Sequence, residues 1–148
     1  WDGLSAIVTE QNGYFDPFHP ENNSGNGNPI GWLQIVQMAL YSVTAQRQVG
    51  TKTALKPRDE AVTLTGTPGR IQRAMNNHFE GLILFTLAVV VVTLSGSASA
   101  FTATCAWVYL AARILYVPAY IRGWVPWRSY IWLAGLFATA LMMLASLL

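Results

Sequence analysis

The chain has 148 residues, of which 53% are hydrophobic and only 11% charged, with a formal net charge of +2. Soluble domains carry about 25% charged residues, so there are too few charges here to clothe a soluble globular enzyme, and the apolar, aromatic-rich makeup excludes disorder. A lone Cys105 excludes an internal disulfide, no Cys/His cluster offers a zinc site, and the nine basic residues form no dense patch of the kind that binds nucleic acid.

Residues 1–28 contain no Lys or Arg and carry Asp2, Glu10, Asp16 and Glu21. They have neither the basic start nor the apolar core of a secretory signal. The stretch ENNSGNGNP at 21–29 is polar and rich in turn formers. This segment is expected to be a polar, non-cytoplasmic N-terminal arm that could engage a protein partner.

A membrane-spanning helix needs about 20 mostly apolar residues. The first run, PIGWLQIVQMALYSVTA from Pro29, is short and holds two Gln. A polar loop over 47–72 follows, with Pro57, Pro68 and several Gly and Thr. The second run, FEGLILFTLAVVVVTL, can extend back through Arg73 because RAMNNH contains no helix breaker. SGSA at 95–98 reads as a tight turn. The third run is broken only by Arg113 and Pro118, RGWVPW at 122–127 is another short turn, and the last run from Ile131 carries no charge. The expected fold is all-α: a transmembrane four-helix bundle over 29–148, with helices near 29–46, 73–95, 100–121 and 128–147. Short links favour an up-down arrangement.

Eight of the nine basic residues lie in or beside the 47–73 loop and the 122–128 turn. Four passes put both connections on one side, which the positive-inside rule assigns to the cytoplasm. Both termini then face outward. Trp124, Trp127 and Tyr130 would form an aromatic belt at the inner boundary.

Ionisable residues inside a span are costly and point to function. Arg73, Asn77 and Glu80 are spaced i, i+4, i+7 and share a helix face; Arg113, Tyr116 and Tyr120, at i, i+3, i+7, share another. Arg128 opens the last helix. A polar cavity at the inner leaflet would gather these groups. Its arginines suit carboxylates, Glu80 suits an ammonium, and Asn77 suits a peptide-like amide. The competing reading pairs Glu80 with Arg113 between helices. His78 falls off this face and is expected at the membrane interface. Cys105 is expected to be a buried small residue rather than a nucleophile. A transporter is disfavoured by the absence of a visible inverted repeat.

RIQRAMNNHFEG at 70–81, ARILYVPAY at 112–120 and PWRS at 126–129 resemble the MAPEG family, the membrane-associated proteins of eicosanoid and glutathione metabolism. PRDEAVTLTG at 57–66 resembles its bacterial branch, which implies the bacterial inner membrane. The resemblance implies a homotrimer that binds glutathione, as co-substrate, between neighbouring subunits near the cytoplasmic side. It assigns Arg73, Asn77, Glu80, Arg113, Tyr116 and Tyr120 to glutathione binding, and Arg128 to stabilising the thiolate, with Ser129 beside it. The implied activity is a glutathione-dependent membrane transferase or peroxidase acting on apolar electrophiles, with no metal. The alternative is a non-catalytic accessory subunit of a larger membrane complex. Gly81 stands where some members carry Tyr, and the arm has no counterpart in the family.

Overall fold

Where a chain is apolar and no water is at hand, backbone N–H and C=O groups must bond to each other, and a helix does this within one segment. The computed structural model describes residues 29–54 and 63–147, and the regular structure among them is helical throughout. The elements are α1 (Pro29–Val49), a single turn α2 (Thr51–Ala54), α3 (Gly66–Leu94), α4 (Ala100–Arg122) and α5 (Trp127–Ala145). The N-terminal arm at 1–28 and most of the PRDEAVTLTG segment lie outside the described residues.

Three of these helices, α3, α4 and α5, are long and apolar enough to cross a membrane. The first apolar run does form a helix, of 21 residues, but it is not among the three. Gln34, Gln37, Gln46, Arg47 and Gln48 dilute its apolar character without shortening it. It packs against α3 and buries Ile30 and Gln37.

The long first loop is shorter than expected. The α3 helix begins at Gly66 rather than near 73, and Pro68 lies in its first turn. Proline is a breaker within a helix but not there, because first-turn N–H groups have no intrahelical acceptor to lose. Thr65 precedes the helix in an extended conformation and does not cap it with its side chain. Its hydroxyl accepts a hydrogen bond from Gln48 Nε2 at 2.9 Å, which ties the end of α1 to the start of α3. With 29 residues, α3 is about 43 Å long, well beyond an apolar layer of about 30 Å. The extra length carries Arg70 and Arg73 at its first turns.

The α4 helix is the most enclosed element and packs most extensively against α5. Ser99 and Thr102 form a reciprocal capping box: Thr102 N donates to Ser99 Oγ at 3.3 Å, and Ser99 N donates to Thr102 Oγ1 at 2.9 Å. At its other end Gly123 adopts φ +70°, so that its own N–H and that of Trp124 bond back to Tyr120 O and Ala119 O. Arg70 Nη1 donates to Ile121 O at 2.9 Å, taking up a terminal carbonyl of α4 and fixing the base of α3 against it. The core between the helices is built from small residues (Ala88, Ala103, Ala106, Ala138) around Phe85, Tyr109 and Met142. Phe85 and Tyr109 stack with ring centroids 4.1 Å apart.

Small residues allow close helix approach without a hydrophobic drive from lipid. Gly135 of α5 shows this directly, since a Cβ built there would lie 3.4 Å from Ala112 Cβ. We therefore expect Gly135→Ala to be tolerated. Gly135→Leu should cost about 1–3 kcal/mol by overpacking the α4–α5 seam, as read from unfolding in a denaturing-detergent titration.

Candidate functional site

A four-residue link between α4 and α5 sets the last turn of one helix beside the first turn of the next. Tyr120 and Arg128 face each other there, with Arg128 Cζ 5.0 Å from the Tyr120 ring centroid. Tyr116, one turn earlier on α4, packs against Tyr120 at 5.4 Å between centroids. Asn77 of α3 closes the third side. These residues, with Ser129, Trp132 and Leu133, line a surface cleft of about 370 Å³. Its polar groups are a guanidinium, hydroxyls, an amide and an indole N–H, while part of Trp132 and Leu133 form an apolar wall.

Asn77, Tyr116, Tyr120 and Arg128 are thus brought together, while the other residues expected at the site go elsewhere. Arg113 lies behind the cleft, 2% exposed. Its Nη1 donates to Asn77 Oδ1 at 3.1 Å, and its guanidinium sits 5.0 Å and 6.0 Å from the Tyr109 and Tyr116 ring centroids. Glu80 is exposed and opens onto a different groove of about 380 Å³ between α1 and α3, lined also by Gln34, Met38, Met75, Asn76 and Phe79. No ion pair joins Glu80 to Arg113, so that competing reading of the two residues fails within one chain. Arg73 is exposed on the first turns of α3, close to Gly69, and lines neither groove.

The shared face of Asn77 and Glu80 is divided by geometry. They are three positions apart, about 300° around the helix or 60° the short way. That separation is enough for α4 and α5 to cover one while α1 flanks the other.

His78 corrects an expectation. It is 1% exposed, inside the bundle rather than at the interface. The buried stripe of α3 runs Ile71, Ala74, His78, Phe85, Ala88, Val92. That is a spacing of three and four with one position, Gly81, left half-buried. His78 lies on this stripe, and the periodicity would have placed it inward. Among the described residues neither ring nitrogen of His78 has a hydrogen-bond partner. The same holds for the side-chain amide of Gln37, the Tyr109 hydroxyl and Arg113 Nε, so the bundle interior at this level is polar. Cys105 is buried, as expected.

Gly81 explains how Arg113 fits. A Cβ at Gly81 would lie 2.7 Å from Arg113 Cζ and collide with Nη2. The guanidinium occupies the notch left in the α3 stripe, and no alignment of polar residues in the sequence signals that packing.

The model of the MAPEG family matches residues 28–148. The chain belongs to the MAPEG family. Comparison with curated proteins and with solved structures found no match. Within this MAPEG protein the notch at Gly81 exists because position 81 carries no side chain. A tyrosine there could not coexist with the observed seat of Arg113.

This geometry separates two substitutions that the sequence makes look alike. Asn77→Leu removes the only side-chain acceptor that the buried Arg113 guanidinium has among the described residues and should cost about 1.5–3 kcal/mol. Glu80→Gln touches no such pair and should leave the unfolding transition of the ligand-free protein unchanged. Both are read from the same detergent-unfolding curves.

Proposed function

We propose that the protein is a glutathione-dependent integral membrane enzyme, a transferase or peroxidase acting on apolar electrophiles. The observation that carries this reading is the cleft in which Arg128 and Ser129 meet Asn77, Tyr116 and Tyr120. Its polar lining holds a cation and hydrogen-bond donors but no carboxylate. That set fits an anionic, peptide-like molecule, and the wall of Trp132 and Leu133 fits an apolar reaction partner arriving from the lipid side.

Glutathione would supply a thiol, which like free Cys has a pKa near 8.5 and is mostly protonated at neutral pH. Arg128 is the residue assigned to hold the anion. A neighbouring guanidinium favours the charged form of a thiol, and each pKa unit corresponds to about 1.4 kcal/mol. The Tyr120 ring steadies the Arg128 guanidinium by cation–π attraction without neutralising it. Asn77, Tyr116 and Tyr120 take an orienting role.

Glu80 would bind the ammonium end of the same molecule, but it opens onto the α1–α3 groove rather than the Arg128 cleft. A homotrimer resolves this separation if the Glu80 groove of one subunit meets the Arg128 cleft of the next. Arg73, exposed on the same end of α3, would join from that side. In this assembly α1 serves as the fourth span. It is built for that in one respect: it buries Gln37 and exposes Trp32, Ile35, Val36 and Val43, the reverse of a water-facing helix. The basic residues at the α1–α3 and α4–α5 connections support a reading in which this end of the bundle faces the cytoplasm, the membrane being a bacterial inner membrane.

Two measurements test the reading. The detergent-purified protein with glutathione at neutral pH should show the ultraviolet thiolate band, and Arg128→Ala should lose it while keeping its assembly state. If wild type gives no band and calorimetry detects no glutathione binding, the enzyme reading fails and an accessory role takes its place. The shared site is tested by co-expressing Glu80→Gln and Arg128→Ala chains. Random mixing leaves roughly a quarter of interfaces with both native residues, and binding should recover in that proportion. A site contained within one chain would recover none.

A further inference from the structure

We infer that Arg113 is a positioning residue, which fixes the direction in which Asn77 presents its amide to the cleft, and that Gly81 is the feature that allows it. The inference deepens the proposed function, because it concerns the ligand-facing chemistry of the same cleft.

A guanidinium has only donors. Whatever else surrounds it, the Asn77 atom 3.1 Å from Arg113 Nη1 must be the amide oxygen. The side-chain amide of asparagine is planar, so committing Oδ1 inward commits Nδ2 outward. Asn77 lines the cleft, and its Nδ2 is not among the buried polar atoms that lack a partner. The cleft therefore meets a pair of N–H donors from Asn77. A ligand atom placed there must be an acceptor, a carboxylate or carbonyl oxygen, and not an N–H or ammonium group. A freely rotating asparagine would accept either.

Arg113 is held for this task on several sides, although its Nε has no hydrogen-bond partner among the described residues. It is 2% exposed, its guanidinium lies against the Tyr109 and Tyr116 rings, and it rests in the notch at Gly81. It does not line the cleft. Its influence on a ligand must pass through Asn77, or through Tyr116, which it also touches. Any side chain at position 81 would make the guanidinium shift from this seat, since a Cβ alone would lie 2.7 Å from Cζ.

The test uses the full-length protein in detergent and glutathione as the probe. Calorimetry compares wild type, Asn77→Asp, Gly81→Ala and the double variant. Asn77→Asp keeps an acceptor for Arg113, so the fold is maintained, but it offers the cleft no donor. Gly81→Ala keeps Asn77 but displaces the guanidinium that orients it. Each single variant should weaken glutathione binding tenfold or more, with the unfolding midpoint of Asn77→Asp no lower than wild type. The double variant should bind no worse than the weaker single, because both changes remove one and the same interaction. Wild-type affinity in Gly81→Ala, or losses that multiply in the double variant, would overturn the inference while leaving the glutathione reading intact.

If wild type itself fails to bind glutathione, the functional reading falls and the orientation is decided without ligand. The nitrogen-15 spectrum of asparagine-labelled protein contains the Asn77 side-chain amide, assigned by its loss in Asn77→Asp. Amide protons that exchange with solvent and shift in Gly81→Ala support the inference. Protons shielded from exchange, or unmoved by Gly81→Ala, refute it.

Discussion

A guanidinium enclosed by apolar helices cannot lose its proton and cannot borrow water from lipid, so its neighbours must satisfy it. Much of the bundle is arranged around that requirement at Arg113. Asn77 supplies an oxygen, Tyr109 and Tyr116 supply ring faces, and α3 gives up a side chain at Gly81 to make room. Removing the charge and its partners together could leave a well-packed bundle. Removing one partner leaves a buried cation exposed to a low-dielectric interior. The arrangement therefore constrains α3 and α4 as a unit, and it fixes the register in which Asn77 reaches the cleft.

The same register divides the polar groups of α3. The close α4–α5 seam, permitted by Gly135 and Ala112, brings Arg128 and Tyr120 onto the Asn77 side. The α1 helix flanks the other side and leaves Glu80 open in a Met-lined groove. One chain thus holds a cationic, donor-rich half and an anionic half that do not face each other. A zwitterionic ligand would need both, which is why the proposed site spans two copies of the chain.

Several features were legible in the residues themselves. Three long apolar runs fixed an all-helical, membrane-crossing chain, because lipid permits few alternatives. The motifs around Asn77, Arg113 and Arg128 pointed to the family that the comparison identified. The turns at 95–98 and 122–127 fell where expected, with Gly123 ending α4 in the left-handed conformation. Other features were misjudged for local reasons. Pro68 read as a loop residue, yet it is compatible with a first helical turn. His78 is off the face shared by Arg73, Asn77 and Glu80, and that face rather than the buried stripe guided its expected place. The first run does form a helix, as expected, and its glutamines leave it less apolar than the other three.

By itself the sequence determined the helices, their order and the polar residues available for chemistry, because hydrogen-bond closure in an apolar medium and helical periodicity are local rules. Which of those residues meet was decided only by tertiary structure. Positions 77 and 80 differ by a modest rotation on one helix, and only the packing of α1 on one side and α4–α5 on the other sends them to different grooves. Arg113 could have faced a ligand, Glu80 or the core. What settled it was the missing side chain at Gly81, a gap whose meaning depends on the helix that crosses it.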